Sequence, residues 1–190
     1  GDMAMTGHHG IAIGDVNGDG RDDVFLCDGG SLPNRLYVQN DDGTATDVSV
    51  VSGIDWYEDS RAALLLDLDN DGDQDLVVAT IAMIVFAENN GNGEFAIKGG
   101  FPGAQYPFSL SSSDFDLDGN IDLYASMFGT YDVFYANRSD DGYEKAQVGD
   151  EGDAVGIALG DYDSDGDQDV YVVNQNWRST LWENDIDRQI

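Results

Sequence analysis

The chain is poor in what most familiar chemistry requires. It has one cysteine, Cys27, so no internal disulfide can form and bridges do not mark its redox compartment. Only two histidines occur, His8 and His9, adjacent at the start of the chain and read as inert. A Ser-His-Asp or Cys-His catalytic arrangement therefore has no convenient base. No run approaches the ~20 apolar residues that a spanning helix needs, which argues against membrane insertion. The opening GDMAMTGHHG has neither the basic start nor the apolar centre of a signal peptide. Positive charge is scarcest: 8 Lys and Arg stand against 38 Asp and Glu, a formal net charge of −30. Such a surface repels nucleic acid and anionic lipid, and its natural counter-partners are cations.

Hydrophobic residues nevertheless make up 41% of the 190 residues, with three Trp, nine Tyr and eight Phe. This is enough for a folded core and unlike an acidic disordered tail. One acidic segment is written four times: DVNGDGRDD (15–23), DLDNDGDQD (67–75), DFDLDGNID (114–122) and DYDSDGDQD (161–169). Their starts lie 52, 47 and 47 residues apart. A single D-x-[DN]-x-D-G-x-x-D could be chance; four in register indicate an internal repeat.

The flanks repeat too. Before each loop stands IAIG, ALLL, LSSS or IALG, and after it VFLC, LVVAT, LYAS or VYVV. Short apolar runs bounded by Gly and Asp read as strands. Next comes a run ending in Asn: LYVQN (36–40), VFAEN (85–89), VFYAN (133–137) and LWEN (181–184). Turn signals at Asp42-Gly43, Asn92-Gly93 and Asp141-Gly142 follow. A last strand is expected over roughly Ala45–Val51, Glu94–Lys98 and Glu144–Val148. Four strands per ~47–52 residues is the period of a propeller blade. The expected fold is all-β, a β-propeller of four four-stranded blades forming one domain, with repeats at about 8–54, 55–103, 104–152 and 153–190.

Unpaired strand edges invite aggregation, so a ring closed on itself is the expected arrangement. The fourth repeat ends without an outer strand, which Asp2–Thr6 would have to supply. The alternative is a larger propeller, or a ring completed by a second chain, and self-association stays open.

Calcium takes six to eight hard oxygen ligands in a flexible shell. Each loop offers side chains at positions one, three, five and nine. These are Asp15, Asn17, Asp19 and Asp23; Asp67, Asp69, Asp71 and Asp75; Asp114, Asp116, Asp118 and Asp122; and Asp161, Asp163, Asp165 and Asp169. Glycine at position six (Gly20, Gly72, Gly119, Gly166) permits the sharp bend. The carbonyl at position seven (Arg21, Asp73, Asn120, Asp167) is expected to complete each shell, giving four calcium ions per chain. An EF-hand needs a bidentate Glu at position twelve, where this chain has Leu26, Val78, Ala125 and Val172. Magnesium resists dehydration and rarely occupies all-protein cages.

The repeat resembles the FG-GAP/VCBS unit of integrin-α-like propellers, and GDYDSDGDQDVYVVN with the N-DG-T step at Asn40 to Thr44 is similar to its bacterial form. That resemblance implies calcium in the loop joining the first two strands of each blade. It also implies a secreted, cell-surface or periplasmic module for adhesion or recognition, whose partners are extracellular protein or glycan. Such propellers commonly have seven blades, and four units are present here.

Cys27 aligns with Ala79, Ser126 and Val173 and reads as a small core residue. Asn137-Arg138-Ser139 is a glycosylation sequon, yet Asn137 also fills the strand-end slot of Asn40, Asn89 and Asn184, and the structural role is favoured. Trp56, Tyr57, Tyr106, Trp177 and Arg178 fall in connections outside the strands. They are candidates to stack on a sugar or anchor a protein, or else to cap blade edges. No catalytic constellation is recognisable, and a non-enzymatic protein is expected. The alternative is an enzyme or accessory domain acting on extracellular polysaccharide.

Overall fold

A computed structural model describes residues 10–30, 32–101, 106–139 and 142–185. Among them the regular elements are all strands, joined in antiparallel sheets. The expected strand positions Asp2–Thr6, as well as His8, His9 and Asp141, lie outside the described residues. The chain divides into two compact units, residues 1–103 and 104–190, with the boundary between the second and third expected repeats.

The first unit holds two meanders. One is β1 (Ile11–Gly14), β2 (Asp23–Leu26), β3 (Arg35–Gln39) and β4 (Ala45–Asp47), in spatial order 1-2-3-4. The other is β5 (Ser60–Leu66), β6 (Asp75–Thr80), β7 (Ile84–Asn89) and β8 (Phe95–Phe101), also in sequential order. Gly14 pairs with Asp23, and Leu66 with Asp75, so each acidic loop is the hairpin connection between the first two strands of its repeat. Alternation along the strands points Ala12, Phe25, Cys27 and Leu36 of the first sheet into one core with Ala63, Leu76, Val78 and Ala87 of the second. Gly10 is required where the two sheets approach. A Cβ there would stand 2.7 Å from both the Ala62 Cα and the Arg61 carbonyl oxygen. Cys27 has the small-core role expected of it, and burial pushes its thiol up to about 12.

The second unit carries one five-stranded sheet in the order β13-β12-β11-β10-β9. Its members are β9 (Pro107–Ser113), β10 (Asp122–Asn137), β11 (Tyr143–Gly160), β12 (Asp169–Asn174) and β13 (Thr180–Trp182). The 16 residues of β10 would span about 50 Å if straight. Instead the Asn137 N–H donates to Asp122 Oδ1 at 2.7 Å, so the element doubles back. The turn lies near Gly129, whose φ is 76°, and the Met127 N–H closes it on Asp132 Oδ1 at 2.8 Å. In β11 the first part pairs with β10 and the last part with β12. The partner changes between Asp153 and Ala154, and Gly149, whose φ is 79°, lies at a register shift within the pairing with β10. The strand–loop–strand–strand reading therefore holds in both halves, but pairing that runs on past these glycines with register shifts merges elements expected to be separate.

One expected strand is shorter. Residues 45–51 were expected to be extended, but β4 stops at Asp47. The carboxylate of Asp47 accepts from the Ser49 N–H and hydroxyl. The chain then turns, with the Ser52 N–H donating to the Val48 carbonyl at 2.9 Å. A local side-chain acceptor thus outcompetes the β-forming valines Val50 and Val51, which are left exposed.

Candidate metal centres

The four loops share one hydrogen-bonding scheme. The carboxylate at position one receives the N–H groups of positions five and six, at 2.7–3.2 Å in every loop. The side chain at position three accepts from the N–H of position five, and position five from that of position seven. The glycines at position six have φ between 84° and 103°. Position four is left-handed as well, with φ of 72° at Gly18, 61° at Asn70, 55° at Leu117 and 67° at Ser164. Sequence spacing alone did not reveal this second bend, because only one of the four residues is glycine.

These bends gather the side chains. Oxygens of Asp67, Asp69 and Asp71 lie within 4.8 Å of one another, as do those of Asp114, Asp116 and Asp122, and those of Asp161, Asp163 and Asp169. Two oxygens bound to one calcium at 2.3–2.6 Å can be at most about 5 Å apart, so these sets fit that ion. Harder oxygen donors with no nitrogen or sulfur among them match its chemistry too. In the first loop Asn17 replaces one carboxylate, and the Arg21 guanidinium pairs with Asp19 and Asp41. In the third, Arg138 pairs with Asp116 and stands 3.5 Å from Asp118. Arg138 is 22 residues from Asp116, and no spacing rule pointed to it.

The ninth-position acids do more than was expected of them. Asp23, Asp75, Asp122 and Asp169 are essentially inaccessible. In each, one oxygen accepts the N–H of loop position two: Val16, Leu68, Phe115 or Tyr162. The other accepts an N–H at the end of the third strand: Gln39, Asn89, Asn137 or Asn184. These carboxylates tie the acidic loop to the sheet whether or not they also touch an ion. Burial pushes Asp75 and Asp122 up to about 6 despite those donors, and raises Asp23 as well. At Asp15, slight burial works upward, but the N–H groups of Gly20, Asp19, Asn17 and Gly18 hold the carboxyl below its usual range.

Leu26, Val78, Ala125 and Val172 all lie in strands, so an EF-hand is excluded. The sequon asparagine, Asn137, is buried and donates to the Ile121 carbonyl at 3.3 Å, the structural role expected of it.

The aromatic candidates separate. Trp56 packs on the core of the first unit and lines an open cleft of about 440 Å³ with Glu58, Met83 and Ile97. Tyr57 beside it is 72% exposed. In the second unit Tyr106 is 54% and Trp177 67% exposed, and Arg178 is exposed next to Trp177.

Fold and loops together define a class: an antiparallel β-meander repeat carrying one acidic cation-type loop per repeat. A family model for the FG-GAP-like repeat matches residues 15–78 and 67–125. The chain belongs to this FG-GAP-like repeat family. It is 29% identical over 190 aligned residues to cartilage acidic protein 1 of Xenopus tropicalis, covering 88% of this chain and 29% of that protein. An Agrocybe aegerita lectin that recognises non-reducing terminal N-acetylglucosamine superposes with a TM-score of 0.60 at 19% identity. The match covers 95% of this chain and 54% of the lectin. The Vibrio cholerae biofilm matrix protein Bap1 matches with a TM-score of 0.53 at 17% identity, over 88% of this chain and 29% of its own. The chain thus spans only part of each of these three proteins.

Proposed function

We propose that the chain is a calcium-stabilised, non-enzymatic recognition module of the propeller type that works outside the cytoplasm and binds glycan or protein. The observation that carries this is the fourfold hydrogen-bonded loop, which converges three carboxylates onto one small volume in three of the four repeats. Like charges held so close repel, and burial adds to the cost at Asp75 and Asp122; a divalent cation offsets both. Asp15, Asp67, Asp114 and Asp161 with their third-, fifth- and ninth-position neighbours would hold the ions. The carbonyls of Arg21, Asp73, Asn120 and Asp167 would complete the shells.

Extracellular calcium modules work at dissociation constants of roughly 10⁻⁴–10⁻³ M, above cytosolic free calcium, and so suit export to the surface or periplasm. Elemental analysis and calorimetric titration test this: four calcium ions and a melting temperature lowered by EDTA are expected. An unchanged melt after full chelation, with no metal found, would overturn it.

The recognition part is supported by exposed Tyr57, Tyr106 and Trp177, which present aromatic faces to solvent. It is also supported by likeness in fold to a lectin and a biofilm matrix protein. Binding on a glycan array without product release fits this reading. Turnover of a polysaccharide would favour the enzymatic alternative.

A further inference from the structure

The cleft beside Trp56 has its origin inside the first unit. Pairing and alternation put Val78, Val85, Ala87 and Ile97 on the face of the second sheet that the first repeat covers. That cover reaches Phe95, which is buried and whose N–H donates to the Ser52 carbonyl at 2.9 Å. Beyond Phe95 the cover ends, because β4 stops at Asp47 whereas β8 continues to Phe101. Ile97 is left 57% exposed and Met83 45%, and both line the cleft with Trp56. Gly100 keeps its floor low: a Cβ there would stand 2.9 Å from Met83 Sδ and 3.0 Å from the Ile84 carbonyl oxygen.

The side chains of the cleft offer little polar chemistry, and all of one kind. The Thr80 hydroxyl is engaged within its own turn, donating to the Met83 carbonyl at 2.9 Å and accepting the Ala82 and Met83 N–H groups. The Trp56 indole N–H is enclosed, out of reach of a ligand. Glu58 is the remaining polar side chain of the lining, exposed and without a partner among the described residues. An ionised carboxylate only accepts hydrogen bonds. Among the described residues no basic side chain lines the cleft, and Lys98, between Ile97 and Gly99, is turned to Glu88 at 2.9 Å.

We propose that this cleft takes the side chain of a lysine or arginine presented by a partner protein. The methylene stem would lie along Trp56, Met83, Val85 and Ile97, and the cationic end would reach Glu58. A neutral sugar fits less well, because its hydroxyls need donors as well as acceptors, and the side chains here leave one acceptor free. Charge favours the same partner at long range: 38 acidic residues against 8 basic ones steer cationic surfaces toward the protein. This site rests on the recognition reading, to which it adds a location and the chemistry of the partner. It does not depend on the acidic loops.

NMR titration of the isotope-labelled chain in calcium tests it, with the blocked peptide acetyl-Gly-Ala-Lys-Ala-Gly-amide as probe. Shifts localised to Trp56, Met83 and Ile97 are expected, with a dissociation constant on the order of 1 mM. Replacing the lysine with diaminopropionate keeps the charge but removes most of the stem, and should weaken binding about tenfold. Glu58→Gln should weaken it about threefold to fivefold. Glu151→Gln, the same change at an exposed acid of the second unit, should leave it unchanged. Both positions are exposed, and an undisturbed spectrum of each free variant would show that it folds. Shifts spread evenly over the acidic surface would overturn the proposal, as would equal binding of the short analogue or binding that Glu58→Gln leaves intact. A glycan array on the same protein separates two kinds of failure. Glycan binding without peptide shifts at Trp56 overturns this site and leaves the recognition reading standing, whereas absence of both removes both.

Discussion

Asn89 donates from its side-chain amide to the carbonyl of Val16 at 2.8 Å, joining the second repeat to the acidic loop of the first across 73 residues of sequence. Asn184 makes the corresponding bond to Phe115 in the second unit, also at 2.8 Å. The same Asn89 amide reaches the Gln74 carbonyl, and its oxygen accepts the Gly93 N–H. One buried side chain thus fixes its own loop, its own hairpin turn and the neighbouring repeat's loop. Replacing Asn89 or Asn184 with Ala strands a buried carbonyl, and the expected loss is about 1–3 kcal/mol. Urea denaturation should show it as a lower midpoint. A loss below the scatter of surface substitutions would deny the asparagine its clamping role.

How far the sequence could be read follows from where the constraints lie. Local pattern was sufficient for the loops, because Asp at fixed positions and Gly at the bend act within nine residues. The strand-end asparagines were visible as a recurring letter, but only the packed sheets show that Asn89 and Asn184 reach another repeat, while Asn40 bonds Thr44 and Thr46 in its own turn and leaves the bond to Asp23 to the Gln39 N–H. The ninth-position aspartates were read as metal ligands alone. Their four buried carboxylates also bridge backbone donors on two sides, a role that depends on strand pairing. Merging of strands in β10 and β11 was not legible, since Gly129 and Gly149 look like ordinary turn residues. Arg138 escaped notice because an ion pair across 22 residues leaves no period.

Arg138 bears on the third acidic loop. Its guanidinium occupies carboxylate oxygens of Asp116 and Asp118 that calcium would need. An exposed ion pair contributes only about 0.2–1 kcal/mol, so the competition is modest. Arg138→Gln is expected to tighten calcium at one site by a few-fold and leave the other sites unchanged. Calorimetric titration of the variant checks this. Weaker calcium binding would instead mean that the arginine organises the loop.

Leu117 holds φ at 55° while 59% exposed, a left-handed conformation that costs a branched side chain energy without burial to compensate. Asn70 occupies the same position in the second loop and tolerates that backbone. Leu117→Asn should therefore stabilise the protein by about 0.5–1 kcal/mol. Thermal melts with and without calcium would show a rise in both. A lower melting temperature would mean that Leu117 makes a contact worth more than the strain.

Asp132 gives the protein a pH dependence of its own, away from the acidic loops. It is 3% exposed at the tip of the turn in β10, and burial pushes its carboxyl up to about 6. The Met127 N–H at 2.8 Å and the Tyr124 hydroxyl at 2.9 Å donate to it and pull the other way without cancelling the effect of burial. A carboxyl whose folded pKa is above its unfolded value binds its proton more tightly when folded. Stability from this group accordingly grows as pH falls from 7 through 6 toward 4, and is lost as pH rises through 6. The change should amount to about 2 kcal/mol over that window. Asp132→Asn removes the charge that burial penalises while keeping an acceptor for Met127. In saturating calcium, the stability of the original protein relative to this variant should increase between pH 7 and pH 5. A difference independent of pH would place the ionisation of Asp132 at its ordinary value.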